Sequence, residues 1–252
     1  MSALIELRDI RKSFGAVDVL KGVDMDIYAG KVSALVGDNG AGKSTLIKGL
    51  SGAQPYDSGD VVFEGKPVTL NSPHDAAGLG IEVVYQDLAL CENLDIVNNM
   101  FLGRERVAHQ MLNQPEMEGA AARTLQSLSV RTLKSVRQKV SSLSGGQRQT
   151  VAIARAVLQE AKIVILDEPT AALGVAQTAQ VLSLVRRLAD SGTAVLIISH
   201  NLADVFEVAD SIHVLYLGAM VAHLEAKDTS YDDVVGWITG SKIKNVAAVE
   251  GA

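Results

Sequence analysis

One cysteine, Cys91, stands in the 252 residues, so no intrachain disulfide can form and the chain suits a reducing compartment. Cys91 is read as a small apolar filler, not as a reactive thiol. Excess positive charge is also missing. The formal charge of -6 and a sequence pI of about 5.4 argue against nucleic-acid binding that rests on bulk charge. No apolar run approaches the roughly 18 residues of a membrane span; runs such as 163–166 and 194–198 are far shorter. The N-terminus carries Glu6, Arg8 and Asp9 where a secretory signal needs an apolar stretch, so it is expected to be the mature one. There is no internal repeat. With 48% hydrophobic and 21% charged residues, the composition is that of an ordinary soluble globular protein of one large domain or two small ones.

The most informative stretch that is present is residues 37–45, Gly37-Asp38-Asn39-Gly40-Ala41-Gly42-Lys43-Ser44-Thr45. It fits G-x-x-x-x-G-K-[ST], in which glycine backbone closes around a polyphosphate, a lysine adds a point charge and a hydroxyl reaches Mg²⁺. A buried strand over 32–36 precedes it. A helix follows, with Leu46, Ile47 and Leu50 at helical spacing, its free N–H groups pointing at the anion.

Upstream, the spacing predicts strands over 4–7, 17–20 and 23–27, punctuated by glycine. Phe14, before Gly15, is open to two readings, turn packing or a π-face that holds a purine. Downstream, turns at 54–60 and 64–67 flank a strand over 61–63, and a strand over 81–85 ends on Gln86. Residues 89–158 turn helical and read as an inserted subdomain, residues 1–88 and 159–252 forming the remainder of one domain. At its end Ser144-Gly145-Gly146-Gln147 matches a capping box, and its two glycines expose bare backbone suited to a second anion.

The apolar run 163–166 predicts a central parallel strand ending in Asp167-Glu168. Val181, Leu184, Val185 and Leu188 mark one face of a helix, and 194–198 a further buried strand ending at His200. A hairpin turned at Leu217-Gly218 and a short helix over 231–239 complete the chain; His213 and His223 are read as strand or surface residues. Strands alternating with helices give an open α/β sheet, whose ligand lies beyond the carboxyl ends of the strands. Gly37, Gln86, Asp167-Glu168 and Ser199-His200 all follow such ends, so they are expected to converge on one edge. A triphosphate at the loop calls for Mg²⁺, for which Asp167 is the expected strand-end carboxylate, with Ser44 and Gln86 as further oxygen donors. Glu168, one residue on, is placed to orient or deprotonate water. Gln86 and His200 are each open to a ligand-contacting or a capping role.

These residues together resemble the ATP-binding cassette ATPases over nearly the whole chain. The resemblance rests on the loop at 37–45, Gln86 as the Q-loop glutamine, Leu143-Ser144-Gly145-Gly146-Gln147 as the signature, Asp167-Glu168 as the end of the Walker B strand and His200 as the switch histidine. It implies a P-loop NTPase core of the RecA-like kind, with an N-terminal antiparallel β subdomain and an inserted α-helical subdomain. It aligns Phe14 with an adenine-stacking aromatic and makes Glu168, His200 and Gln86 catalytic. It also implies a head-to-tail dimer, in which the loop of one subunit and Ser144, Gly145, Gly146 and Gln147 of the other enclose each ATP. The segments Gly37-Asp38-Asn39-Gly40, Val84-Tyr85-Gln86-Asp87 and Asn98-Asn99-Met100-Phe101-Leu102-Gly103-Arg104-Glu105, with the ending Ile238-Thr239-Gly240, are most similar to importers of the ribose, xylose and fructose type. That likeness implies a second ATPase subunit, a transmembrane permease docked on residues 87–105, a periplasmic sugar-binding protein and a place on the cytoplasmic face of the membrane. One position departs. Gly174 stands where the family usually has aspartate, which puts one contact between the two sites in doubt but removes no group around Mg²⁺ or water. A soluble cassette ATPase of translation or DNA repair and a non-hydrolysing, nucleotide-gated regulator remain as alternatives.

Overall fold

A computed structural model of the protein describes residues 2–128 and 133–243. The parts of the expected domain boundaries that fall on Met1, 129–132 and 244–252 lie outside the described residues. The chain opens with β1 (Ile5–Phe14), β2 (Val17–Ile27), β3 (Val32–Val36), α1 (Lys43–Leu50), β4 (Ser58–Phe63), β5 (Lys66–Val68), α2 (Pro73–Gly78) and β6 (Ile81–Val84). It continues through α3 (Ile96–Phe101), β7 (Val107–Ala108), β8 (Met111–Leu112), α4 (Gln114–Ser127) and α5 (Gly145–Leu158). It closes with β9 (Ile163–Asp167), α6 (Val175–Asp190), β10 (Ala194–Ile198), α7 (Leu202–Val208), β11 (Ser211–Tyr216), β12 (Ala219–Glu225) and α8 (Tyr231–Ile238).

The central sheet runs in the order β12-β11-β3-β10-β9-β6. All neighbours are parallel except the β11–β12 hairpin. Strands β3, β10 and β9 are buried and, apart from Ser33 and the terminal Asp167, apolar, because both faces are covered. Alternation along them splits their side chains between two cores. Val32, Ala34, Val164, Leu166, Val195 and Ile197 pack toward α3, α4, α5, α6 and α7. Leu35, Ile163, Ile165, Ala194, Leu196 and Ile198 face the other way, toward Leu46, Ile47 and Leu50 of α1 and the inner face of the antiparallel sheet β2-β1-β4-β5. Ile165 is fully buried; truncating such a residue to alanine costs about 2–5 kcal/mol.

Several expectations change in detail. Strand β1 runs on to Phe14, and β2 passes through Gly22 unbroken. A register shift between Leu7 and Ile10, with Asp9 at φ 49°, absorbs the irregularity as a bulge where the sequence suggested separate strands. β6 stops at Val84 rather than Tyr85. Among the described residues it is an edge strand paired only with β9, and the Tyr85 hydroxyl turns away to bond Ser51 Oγ. Residues 89–158 carry α3, α4 and α5 as expected, plus a short unexpected hairpin, β7–β8, turned at His109 and Gln110. Within them α4 starts at Gln114 behind an Asn113 cap. The Leu217-Gly218 turn is as expected, both residues having positive φ (48° and 89°), the type I′ geometry of tight hairpins.

Candidate active site

Four parallel neighbours, β3, β10, β9 and β6, deliver their carboxyl ends to one edge, and the sequence-distant groups meet there. Asn39, Gly40, Gly42, Lys43, Ser44, Thr45, Gln86, Asp167 and Glu168 line a cavity of about 420 Å³, with Val19 and Ile198 as apolar walls. The two walls were not singled out from sequence, since nothing distinguishes them from other strand residues.

The loop's shape depends on glycine at two positions. A Cβ on Gly37 would lie 2.2 Å from the Leu215 carbonyl oxygen, so β11 and the loop can approach this closely only without a side chain. Gly42 caps α1 at φ 109° with no side-chain bond to the helix, leaving the first N–H groups free to face the cavity. Lys43 Nζ donates to the carbonyls of Gly37 (2.8 Å) and Asp38 (3.0 Å), folding the ammonium into the loop. The Asn39 backbone N–H donates to Asp38 Oδ1 (2.7 Å), and Ala41 N–H to the Asp38 carbonyl (3.2 Å). Asp38 and Ala41 therefore shape the loop from within.

The charges are mutually dependent. Burial lowers the Lys43 pKa, while Glu168, Asp38 and Asp167 oppose that shift. Burial, then the adjacent Glu168 carboxylate, raises the Asp167 pKa above the ordinary carboxylate range, against the pull of Lys43 and Lys48. Two carboxylates, the Ser44 hydroxyl and the Gln86 amide make an oxygen donor set, the chemistry that suits Mg²⁺. The unrelieved Asp167 is a group that a divalent cation would stabilise in its charged form.

His200 does not line the cavity. Its Nδ1 lies 2.8 Å from Glu168 Oε2, and its side chain is 70% exposed against 16% for Glu168. Glu168 adopts φ 51°, a conformation that a non-glycine residue holds only when its surroundings fix it. Its N–H donates to the Ile198 carbonyl (2.9 Å), binding the end of β9 to the end of β10.

Phe14 and the signature lie outside this cavity. Phe14 ends β1, 43% exposed, with the Lys12 ammonium 5.7 Å from its ring centroid. Ser144 caps α5 in the expected reciprocal box, the Gln147 N–H donating to Ser144 Oγ (3.4 Å) and Ser144 N–H to Gln147 Oε1 (2.9 Å). One of the two glycines differs from expectation. Gly145 is exposed, but Gly146 is buried, and a Cβ there would meet Gln177 of α6 at 3.0 Å, so the second glycine permits close helix packing.

Residues 20–171 match the ABC transporter family. The chain belongs to that family. At 50% identity over 98% of both chains it is similar to a xylose/arabinose import ATP-binding protein of Sulfolobus acidocaldarius. It is 44% identical, over 95% of both chains, to a fructose import ATP-binding protein of Rhizobium meliloti. A ribose import ATP-binding protein of Escherichia coli O157:H7 is 37% identical over 96% of this chain, which spans 48% of that relative. Among solved structures, a nucleotide-free ATP-binding cassette from an ABC transporter superposes with TM-score 0.81 at 26% identity, covering 98% of this chain and 99% of that one. The fold is thus the cassette form of the P-loop NTPases, a parallel core with an antiparallel sheet beside it. No described helix is long and apolar enough to cross a membrane.

Proposed function

We propose that the chain is the ATP-hydrolysing subunit of an importer for a monosaccharide of the xylose, fructose or ribose kind, driving a separate permease. The observation that carries the ATPase reading is the single cavity in which Lys43, Ser44, Gln86, Asp167 and Glu168 meet at the ends of parallel strands. The sugar-import roles of the relatives support the import of a sugar.

In this reading residues 37–45 hold the triphosphate through backbone N–H groups, the α1 N-terminus and the Lys43 ammonium, for which phosphate oxygens replace the Gly37 and Asp38 carbonyls. Asp167, Ser44 and Gln86 would hold Mg²⁺, which when bound neutralises charge on the phosphates. Glu168 orients the attacking water and accepts its proton, and His200, bonded to that carboxylate, fixes its direction. Phe14, exposed at the rim of the antiparallel sheet, offers its ring to adenine. Ser144, Gly145, Gly146 and Gln147 close the nucleotide site of a second copy of the chain. Residues 89–158 act as the helical signature subdomain, and 87–105 meet the permease at the cytoplasmic face of the membrane, with a periplasmic sugar-binding protein on the far side of the complex.

Co-purification of the chain with its membrane partner, followed by ATPase assays against a panel of monosaccharides with their binding proteins, tests this. Turnover stimulated by one sugar is the expected result. Fractionation with ribosomes or DNA and not with membranes would favour a soluble cassette ATPase. Absence of turnover beside the permease would favour a nucleotide-gated regulator.

A further inference from the structure

Asp204 is a carboxylate that the site described above does not use. It lies in the first turn of α7, is 6% exposed, and forms no ion pair among the described residues. Its position near a helix N-terminus eases the charge somewhat. A buried carboxylate still needs strong hydrogen bonds, and Asp204 receives one from Thr170 Oγ1 at 2.6 Å, with Thr170 itself 8% exposed.

The two partners sit at informative places in the chain. Thr170 is two residues beyond Glu168, and Asp204 is four beyond His200. Residues 168–170 and 200–204 are therefore joined twice, by Glu168 to His200 at 2.8 Å and by Thr170 to Asp204 at 2.6 Å. The first link has an exposed histidine that solvent and ligands can displace. The second is sealed from water, both of its partners being buried. Glu168 needs such support, because its positive φ is strained and the turn after it is short, Ala171 N–H donating to the Glu168 carbonyl at 3.1 Å. At its far end α7 is anchored as well, Arg186 donating to the Val208 carbonyl at 3.3 Å, so the helix is a fixed bar from which the Thr170 turn hangs.

We infer that Asp204 is a positioning residue for ATP hydrolysis, which through the buried Thr170 hydroxyl holds Glu168 in register with His200. The inference rests on the reading of Glu168 as the base. Thr170→Val removes the donor at nearly constant volume, Thr170→Ser keeps it, and Asp204→Asn keeps the acceptor oxygen while removing the charge.

Each variant of the full-length chain is assayed for ATP turnover against ATP concentration, below its own unfolding temperature. The expected result for Thr170→Val is kcat lowered about tenfold, equivalent to about 1.4 kcal/mol, with KM for ATP within about twofold of the parent. Thr170→Ser restores kcat to within about twofold, and the double variant Thr170→Val with Asp204→Asn is no slower than the slower single. A purely structural bond would lower the melting temperature and leave kcat unchanged; that result overturns the inference. So does a double variant whose losses multiply, or a serine variant as slow as the valine. Glu168→Gln run in parallel separates the two readings. If it is inactive while Thr170→Val is fully active, only the role of Asp204 falls. If it turns over normally, the assignment of the base falls and this inference with it.

Discussion

Acidification should destabilise the protein in a window set by two histidines of β11 and β12. His213 is 5% exposed; its Nδ1 lies 2.7 Å from Nδ1 of His223, and its Nε2 lies 3.3 Å from Ser211 Oγ, which in turn bonds Ser33 Oγ. One proton shared between the two Nδ1 atoms satisfies both rings. A second would place two cations in contact. Burial, then His223, lowers the His213 pKa from 6.5 to about 4, against the opposing charge of Asp26; burial also lowers that of His223, against Asp26 and Asp24. The pair borders a cavity of about 720 Å³ at the amino ends of β3 and β11, away from the phosphate loop.

Because the folded state disfavours the protonated ring, the unfolded chain binds more protons below the unfolded pKa, so stability falls as pH falls. The stabilisation is complete above about 6.5 and declines toward the folded value, with a limiting slope of about 1.4 kcal/mol per pH unit. His213 alone then removes about 2 kcal/mol by about pH 5 and about 3 kcal/mol by about pH 4. Carboxylates held below their ordinary pKa, such as Asp57 and Asp210, withdraw their contribution only below 3.8, so the two windows are separable. Urea unfolding from about pH 7.5 to about pH 5 measures this, with the His213→Gln and His223→Gln double variant as the control in which the slope should flatten. A parent protein of constant stability over that range would refute the reasoning.

Two further substitutions test the geometry. Gly37→Ala would force its Cβ to within 2.2 Å of the Leu215 oxygen, so β11 or the loop must shift; we expect about 1–3 kcal/mol of lost stability and weaker ATP binding, read by unfolding and nucleotide titration. Gly174 caps α6 at φ -75° and ψ 160° with no side-chain bond and open space around it, so Gly174→Asp should stabilise by a few tenths of a kcal/mol and raise the melting temperature by about 1 °C; a lower melting temperature would contradict the capping argument.

The positions of the central strands and the edge on which polar groups gather were legible because the signals were local. Buried runs such as 163–166 and 194–198 admit few alternatives, and Gly37, Gln86, Asp167 and Glu168 each follow such a strand. The capping box at Ser144 was readable for the same reason. What the sequence left hidden depends on contacts across the chain. Gly146 looks free beside Gly145, and only the approach of Gln177 shows it to be a packing glycine. The bulge at Asp9, the early end of β6 and the β7–β8 hairpin follow from pairing partners that no local pattern names. Thr170 and Asp204, 34 residues apart, carry no motif linking them, and the His213–His223 pair is visible only once β11 and β12 are in register.

The central claim is that Glu168, held between the Ile198 carbonyl and His200, is the base of an ATP-hydrolysing site built on residues 37–45. Its most direct test is Glu168→Gln, measured for nucleotide binding and for turnover in the same preparation. The account predicts ATP affinity within about twofold of the parent and turnover lowered by at least about 10²-fold, the usual worth of a positioned general base. ATP hydrolysis at the parent rate in that variant would contradict it.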